Sequence, residues 1–284
     1  MSAALNNPRR CLLFVPGSRP ERYAKAVATG ADQVCIDLED AVAPCDKESA
    51  RASLFAFLAD KPESRGEIGL RINPLSTELG QADLKALASS GLNPAFVMLP
   101  KVETVAELQQ ADNALAAIDT VFIAQIETPK GLLDARALAT AIPRLQALMF
   151  GGFDYIVALR GRAGWDSFFH PRVQLATIAA EAGVGCLDVP FLDIKDEAGL
   201  VDETDRVINL GFTAKAAIHP AQVDPIQSRY LPTAGEYERA QRVIAALAAS
   251  GGEAIQLDGK LVDRPIEIAA ERAIALGELG VRAG

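Results

Sequence analysis

Short apolar runs recur along the chain, and a segment with helical spacing follows each of them. The runs are CLLFV, QVCI, IGLRI, AFVML, VFIAQI, LQALMF, GCLDV and KAAI. The segments between them repeat apolar residues at intervals of three and four, as in TVAELQQADNALAAI and DEAGLVDETDRVINLG. Eight pairs of strand and helix are the number that a TIM (β/α)8 barrel requires. The pattern therefore predicts an α/β protein.

The positions of the polar residues favour a closed barrel over its alternative, an open doubly wound sheet. In a barrel the C-terminal ends of all strands lie at one rim. In this sequence polar residues follow most of the apolar runs. These residues are Ser18, Arg19 and Arg22; Asp37, Glu39 and Asp40; Arg71 and Asn73; Lys101 and Glu103; Glu127; Asp154; His219 and Gln222. We therefore predict a barrel over residues 1–228 with a catalytic pocket at that rim.

The pattern changes after residue 228. TAGEYERAQRVIAALAAS and IEIAAERAIALGELG have helical spacing, and the turn-rich GGEAIQLDGKLVDRP between them is consistent with a short hairpin. We predict a C-terminal helical extension over residues 229–284.

Composition and charge exclude several classes of partner. The chain has 284 residues, 50% of them hydrophobic and 23% charged, with a formal net charge of −9. An acidic protein is poorly suited to nucleic acid or to anionic membrane surfaces. The N-terminal MSAALNNPRRC contains no apolar run, so we expect a cytoplasmic protein. The four cysteines lack metal or disulfide spacing, and we expect Cys35 and Cys186 to be inert core residues.

Two carboxylates stand where neighbouring apolar runs end. Glu127 follows VFIAQI and Asp154 follows LQALMF. An ionised carboxylate at the end of a buried strand is costly unless it is paired or binds a metal. Two of them would repel each other, and Mg²⁺ typically binds one or two carboxylates and keeps several waters. We predict a Mg²⁺ site at Glu127 and Asp154, with capping of the following helices as the alternative for each.

Arg71 lies in IGLRIN and faces the same side of its strand as Asn73. A guanidinium group on a barrel strand can donate two parallel hydrogen bonds to a carboxylate or an oxyanion, so we predict a catalytic role for Arg71. The acidic residues Asp37, Glu39 and Asp40 are expected to hold metal-bound waters and Arg71. The alternatives are a structural ion pair of Arg71 with these acids and, for Asp40, a helix cap.

The segment PGSRPERYAK combines a Pro-Gly turn, a hydroxyl group and basic residues before a helix, which suits phosphate. It is neither a Walker loop nor a dinucleotide fingerprint, and solvated basic residues are the alternative. His219 precedes a proline, and we expect it to hold a turn.

Taken together, these stretches resemble the citrate lyase β-subunit-like branch of the HpcH/HpaI aldolase family, which includes malyl-CoA, citramalyl-CoA and citryl-CoA lyases. The resemblance is carried, in the family's order, by LFVPGSRPERYAKA, CIDLEDAVAP, LRINPLST, MLPKVE, IETPKGL, FGGFD, GFTAKAAIHPAQV and DGKLVDRP. It departs at FGGFDYIVALRGRAG, where members commonly read FG-x-x-D-L-x-x-x-L-G. The additional arginines are Arg160 and Arg162.

The resemblance implies a Mg²⁺-dependent lyase of a 3-hydroxyacyl thioester, assembled as a trimer or hexamer. It implies that Glu127 and Asp154 bind the metal and that Arg71 contacts the thioester or enolate oxygen. It also implies that Asp263, offered by a neighbouring subunit, is the acid/base. The coenzyme A nucleotide is expected at Ser18, Arg19, Arg22 and Lys25.

Three alternatives stay open. The first is a metal-dependent aldolase that cleaves a free 4-hydroxy-2-oxo acid to pyruvate. The second is hydrolysis of a malyl-CoA-type thioester, which requires the same site to hold a water. The third is a subunit that acts only on an acyl carrier protein thioester.

Overall fold

The computed structural model describes residues 9–60, 62–251 and 253–282. The described chain divides into two compact units, Arg9–Asp224 and the part from Pro225 onward. In the first unit eight parallel strands pair in sequence order, and the last strand pairs with the first to close a barrel. The predicted TIM barrel is confirmed.

Each of the eight predicted apolar runs forms one barrel strand. The strands are β1 Cys11–Pro16, β2 Gln33–Asp37, β3 Glu67–Arg71, β4 Phe96–Leu99, β5 Val121–Ile126, β6 Leu145–Phe150, β7 Gly185–Asp188 and β8 Ala214–Ala217. The helices are α1 Tyr23–Val27, α2 Lys47–Ala59, α3 Glu78–Ser90, α4 Val105–Ala114, α5 Pro129–Ala139, α6 Gly152–Ala158, α7 Trp165–Ala182, α8 Glu197–Asn209 and α9 Val223–Arg229. Short 3-10 turns cover Pro20–Arg22, Pro44–Asp46 and Pro220–Gln222.

Alternate strand residues fill the interior of the barrel. The interior cluster consists of Leu12, Cys35, Phe96, Met98, Ile123, Met149, Leu187, Ala214 and Ala216. Because successive side chains on a strand point to opposite faces, the residues two positions further along also face inward. On β2, β3 and β5 those positions near the C-terminal end hold Asp37, Arg71 and Gln125. The strand period therefore brings polar side chains into the barrel at this end.

Threonine side chains begin the helices on the same rim. Thr104 and Thr128 accept hydrogen bonds from the backbone N–H groups of Glu107 and Gly131 at the start of α4 and α5. His219 likewise accepts a hydrogen bond from the N–H of Ala221, so the predicted turn role of His219 is confirmed. These caps fix where each loop of the rim turns into its helix.

A buried ionic cluster lies outside the barrel interior, between the strands and the helices. Arg172 on α7 donates two hydrogen bonds to Asp188, from Nε at 2.8 Å and from Nη2 at 3.0 Å. Lys215 donates to Asp188 at 2.7 Å and to Glu203 on α8 at 2.8 Å. Arg172, Asp188 and Lys215 are fully buried. The four charges balance, which is the condition under which buried ionic groups are tolerated.

The second unit contains two helices and a hairpin. Helix α10 spans Ala234–Ala249, the antiparallel strands β9 Ile255–Leu257 and β10 Lys260–Val262 form the hairpin, and α11 spans Arg264–Gly277. Its apolar core consists of Ala240, Val243, Leu247, Val262 and Ala270. The helices and the hairpin predicted for this segment are confirmed. Among the described residues, none of the helices has the length and apolar character needed to cross a membrane.

Candidate active site

Glu127 follows β5 and is completely buried. Its Oε1 accepts a hydrogen bond of 2.7 Å from the backbone N–H of Lys101, and its Oε2 accepts one of 2.6 Å from Nε2 of Gln125. Burial, followed by the nearby charge of Glu39, raises the pKa of Glu127 to about 8, and Asp154 contributes in the same direction. The carboxylate is therefore held in place but lacks a full countercharge.

Arg71 forms ion pairs with acidic residues at the end of the neighbouring strand β2 and just after it. Asp37 and Arg71 are paired in the β2–β3 register, and Nε and Nη2 of Arg71 each donate a 2.7 Å hydrogen bond to Asp37. Nη1 lies 3.0 Å from Oε2 of Glu39 and donates at 3.2 Å to Oε1 of Gln125. Burial alone would lower the pKa of Arg71, but Asp37 and Glu39 outweigh it and raise the pKa. The expected ion pairs of Arg71 with Asp37 and Glu39 are confirmed.

Lys101 and Glu39 complete the arrangement. Nζ of Lys101 donates a short hydrogen bond to Oε1 of Glu39 and lies 3.7 Å from Asp40. Burial raises the pKa of Glu39, and its Oε2 makes no hydrogen bond with any described residue. The contacts close a ring, which we call the rim network, through Arg71, Gln125, Glu127, Lys101 and Glu39.

The rim network borders a cavity of about 360 Å³ inside the barrel unit. Asp154, in the first turn of α6, is exposed and lines this cavity. The lining includes polar residues, which are Asp37, Asp40, Arg71, Gln125 and Asp154, and apolar residues, among them Phe14, Met149, Phe153, Val189 and Ile218. Arg71 is the only cation among the lining residues. The cavity therefore has a surplus of negative charge.

The carboxylate oxygens of Glu127 and Asp154 suit a hard divalent cation. Oxygen ligands are those that Mg²⁺ prefers, and it commonly takes only one or two protein carboxylates. Among the described residues there is no cluster of three or more metal-binding side chains. The raised pKa of Glu127 marks a carboxylate that a nearby positive charge would stabilise. Glu127 and Asp154 are the residues that would hold the ion.

The capping alternative for these two carboxylates is wrong. Thr128, not Glu127, caps α5, because its hydroxyl group accepts from the N–H of Gly131. Helix α6 begins after Gly151 without a side-chain cap, and Asp154 lies within its first turn. The cap proposed as an alternative for Asp40 is also absent, since Ala43 precedes the 3-10 turn Pro44–Asp46.

The remaining predicted residues are not members of the rim network. Ser18 is half-buried after β1, whereas Arg19, Arg22 and Lys25 are exposed on the 3-10 turn and α1. Asp263 lies in the C-terminal unit at the residue before α11, where its side chain makes no capping hydrogen bond. The roles of these residues stay predictions.

Three features of the site were not predicted from the sequence. Gln125 joins Arg71 to Glu127, and the backbone N–H of Lys101 holds Glu127. Gly151 leaves space for both side chains, since a β-carbon there would lie 2.7 Å from Oε2 of Glu127. The one available signal was the strand period, which places Gln125 on the same face as Glu127.

The segment around Asp154 contributes one aromatic residue to the cavity. Phe153 lines it, whereas the neighbouring Tyr155 is buried against Phe150. Arg160 and Arg162 are exposed in the loop that follows α6. Phe153 occupies a variable position of the common family pattern, and the residues that depart from the pattern, Tyr155 and Arg160, are not part of the cavity lining.

Residues 10–220 match the family model HpcH/HpaI aldolase/citrate lyase. The chain belongs to this family. The match covers all eight barrel strands and every member of the rim network, so the resemblance seen in the motifs is confirmed. Members of this family are carbon–carbon lyases and related acyl-CoA enzymes.

Individual relatives agree over nearly the whole chain. The citrate lyase subunit beta of Leuconostoc mesenteroides is 32% identical over 288 residues, covering 96% of this chain and 95% of that protein. The (3S)-malyl-CoA thioesterase of Cereibacter sphaeroides is 34% identical over 279 residues, with the same shares covered. The crystal structure of CitE from Mycobacterium tuberculosis in complex with magnesium, acetoacetate and coenzyme A has a TM-score of 0.81 and 33% identity, covering 95% of this chain and 98% of that one.

Proposed function

We propose that the protein is a Mg²⁺-dependent carbon–carbon lyase that cleaves, or forms, a 3-hydroxyacyl thioester of the citryl-, citramalyl- or malyl-CoA type. The products of cleavage are acetyl-CoA and a 2-oxo acid. The observation that carries the proposal is that Asp154 and Arg71 line one cavity of the barrel rim, while the buried Glu127 is hydrogen-bonded to Gln125 of the same lining and has its pKa raised in part by Asp154. The magnesium and coenzyme A bound by the CitE relative support the same chemistry.

Each charged residue has a place in the proposed reaction. Mg²⁺ held by Glu127 and Asp154 supplies Lewis-acid polarisation of the substrate hydroxyl and carboxylate oxygens when it is bound. Arg71 donates to the thioester oxygen on which negative charge develops as the carbon–carbon bond breaks. Of its five N–H groups, Asp37 takes two and Gln125 takes one, and Nη1 also lies 3.0 Å from Glu39. The second N–H of Nη2 is therefore the donor for a substrate oxygen, while the fork to Asp37 fixes the plane of the guanidinium group.

The proposed cleavage also requires a residue that acts as acid and base. The substrate hydroxyl loses a proton as it becomes the carbonyl of the 2-oxo acid, and the enolate carbon of the thioester gains one. We assign both transfers to Asp263 of a neighbouring chain in a homotrimer or hexamer: its carboxylate takes the hydroxyl proton and then returns a proton to the enolate carbon. Glu39 and Asp40 hold Arg71 and Lys101 at the edge of the cavity. Ser18, Arg19, Arg22 and Lys25 bind the coenzyme A phosphates.

A substrate panel tests the proposal. Malyl-, citramalyl- and citryl-CoA are incubated with the enzyme with and without Mg²⁺, and release of the 2-oxo acid and of free thiol is followed separately. Release of the oxo acid without free thiol identifies a lyase, whereas release of free thiol without the oxo acid identifies the thioesterase variant, because hydrolysis of the intact ester yields the hydroxy acid and coenzyme A. Turnover must vanish in Glu127→Ala with the fold intact. Turnover of all three esters by Glu127→Ala would remove the proposed metal site from the mechanism.

Coenzyme A binding separates the proposal from its alternatives. A free 4-hydroxy-2-oxo acid aldolase has no use for nucleotide contacts, so it would show no coenzyme A binding and no change in Arg19→Ala with Arg22→Ala. We expect that double variant to raise KM for the CoA ester without lowering kcat. A subunit that requires an acyl carrier protein would bind Mg²⁺ but turn over only the carrier thioester.

A further inference from the structure

Gln125 occupies a position between the two oppositely charged groups of the rim network. It is 4% exposed on β5, two residues before Glu127, and both side chains point into the barrel. Its Nε2 donates to Oε2 of Glu127 at 2.6 Å, and its Oε1 accepts from Nη1 of Arg71 at 3.2 Å. The amide therefore contacts a proposed metal ligand on one side and the proposed oxyanion donor on the other.

The orientation of this amide is determined by its neighbours. A carboxylate only accepts hydrogen bonds and a guanidinium group only donates them. The NH₂ group must therefore face Glu127 and the carbonyl oxygen must face Arg71. Rotating the amide by half a turn would place donor against donor and acceptor against acceptor, so the buried side chain has a single satisfied state.

A neutral residue at this position also keeps two charges apart. In a buried site a guanidinium group and a carboxylate attract strongly, and Arg71 already lowers the pKa of Glu127, although burial and Glu39 raise it by more. Without the amide between them, Nη1 of Arg71, which the fork to Asp37 does not use, would be the group that pairs directly with Glu127. Such a pair would neutralise the carboxylate that is needed for a cation.

We infer that Gln125 is a positioning residue, which holds the Glu127 carboxylate for the metal and keeps the Arg71 guanidinium from pairing with it. The inference rests on the proposed function, because it assigns these two roles to Glu127 and Arg71. Residues that orient metal ligands by hydrogen bonding typically contribute about 10- to 100-fold to metal affinity or activity when they are changed.

The test is Gln125→Met, which has a similar length and shape but neither donor nor acceptor. Mg²⁺ affinity is measured by calorimetry without substrate, and kcat and KM are measured with the ester that the wild type turns over. We expect Mg²⁺ binding about 10- to 100-fold weaker and a lower kcat, with KM for the CoA ester changed little. Gln125→Asn, which retracts the amide by one methylene group, should show the same changes to a smaller degree and serves if Gln125→Met does not fold.

Gln33→Met is the matched control. Gln33 is 2% exposed on β2, and its Nε2 donates to Glu67 at 2.8 Å and to Gln146 at 3.3 Å, at the opposite end of the barrel. This variant also loses a buried amide with two partners, so it should lower thermal stability but leave Mg²⁺ affinity and kcat unchanged. Equal effects of the two variants on Mg²⁺ affinity would reduce Gln125 to a structural residue.

Two outcomes overturn the inference and leave the proposed function intact. One is wild-type Mg²⁺ affinity and kcat in both Gln125 variants, and the other is equal loss in the Gln33 control. Failure of the proposed function has a different signature, because the wild type itself would then bind no Mg²⁺ or release no oxo acid from any thioester of the panel.

Discussion

The guanidinium of Arg71 and the carboxylate of Asp37 form a fork of two 2.7 Å hydrogen bonds between the last residues of neighbouring strands. A second fork of the same design joins Arg172 to Asp188 outside the barrel interior, at 2.8 and 3.0 Å. Both pairs are buried, but only the pair of Arg71 and Asp37 lines the cavity. Comparing variants of the two arginines therefore distinguishes what a buried ion pair contributes to stability from what Arg71 contributes to the reaction.

Replacing Arg71 by Lys should damage both stability and activity. Lysine keeps the charge but presents a single ammonium group in place of the planar fork. Losing a hydrogen bond to a charged group costs about 1.5–3 kcal/mol, and we expect a loss of that size in the free energy of unfolding. If Arg71 also stabilises the developing oxyanion, kcat should fall by about 10²- to 10³-fold. Urea unfolding and steady-state kinetics measure the two effects.

Arg172→Lys is the control for this prediction. It should lower the free energy of unfolding by a similar amount, while the folded enzyme keeps its kcat, because Arg172 lies between the barrel and the helices. A loss of kcat in Arg172→Lys equal to that in Arg71→Lys would show that the activity responds only to stability.

Gly151→Ala should weaken Mg²⁺ binding through steric displacement. The φ of Gly151 is −97°, which any residue adopts, so this dihedral angle does not itself disfavour alanine. A β-carbon would overlap Cβ of Glu127 and would lie 2.7 Å from Oε2 of Glu127 and 3.2 Å from Nε2 of Gln125, all closer than ordinary contact. Glu127 must move as a whole, including its Cβ, and we expect Mg²⁺ affinity to fall about tenfold or more. Gly164→Ala is the control, because a β-carbon there meets no described atom within 4 Å.

The barrel was predictable because its signals are local. Each strand is a short apolar run that ends in polar residues, and each loop between strands carries a helical pattern, so a count of the runs indicates the topology. The positions of Glu127, Asp154 and Arg71 at the strand ends follow from the same pattern. The wrong interpretation of Glu127 as a cap could have been avoided, since Thr128 followed by proline is itself the signature of a helix start.

The rim network was not predictable, because its contacts depend on side-chain packing across strands. Gln125 lies inside an apolar run, where nothing in the sequence distinguishes a hydrogen-bonded glutamine from a tolerated polar residue. The backbone N–H of Lys101 leaves no trace in the sequence, because every residue except proline carries one. The space at Gly151 becomes meaningful only when Glu127 is known to fill it.

Mg²⁺ affinity should rise with pH. Burial, followed by the charge of Glu39, raises the pKa of Glu127 from 4.5 to about 8 in the metal-free protein, and only the ionised carboxylate binds a cation. We expect apparent affinity to increase up to about tenfold for each pH unit below pH 8 and to level off above it. Calorimetry in two buffers with different heats of ionisation should detect proton release on binding near pH 7 and none near pH 9. An affinity that stays constant across this range would contradict the raised pKa.

The raised pKa of Glu127 also predicts how the stability of the metal-free protein changes with pH. A carboxyl group whose pKa is higher in the folded state contributes stability below its ordinary value of 4.5, and that contribution is lost as the pH rises through about 8. In the presence of EDTA the melting temperature should therefore fall across this interval. Saturating Mg²⁺ should restore it at pH 8, because an ion that binds only the folded state stabilises that state. A melting temperature at pH 8 that does not respond to Mg²⁺ would contradict the proposed site.

Asp263→Asn should abolish turnover without affecting the metal site. The side chain of Asp263 makes no capping hydrogen bond at the start of α11, so its loss should leave the C-terminal unit folded. We expect kcat to fall by about 10²- to 10⁴-fold, as for removal of a general acid/base, with Mg²⁺ affinity unchanged. Asp258→Asn, which removes the partner of Arg242 on the hairpin, should keep full activity.

Mixing two inactive variants tests whether the acid/base comes from another chain. Asp263→Asn supplies intact barrel residues and Glu127→Ala supplies an intact Asp263, so an oligomer assembled from both contains some complete sites if each site is shared between chains. We expect activity to reappear after the two proteins are unfolded and refolded together, and not when they are refolded separately and then combined. Mixed oligomers, verified by two different affinity tags, that stay inactive would place the acid/base within the same chain as Glu127 and Asp154.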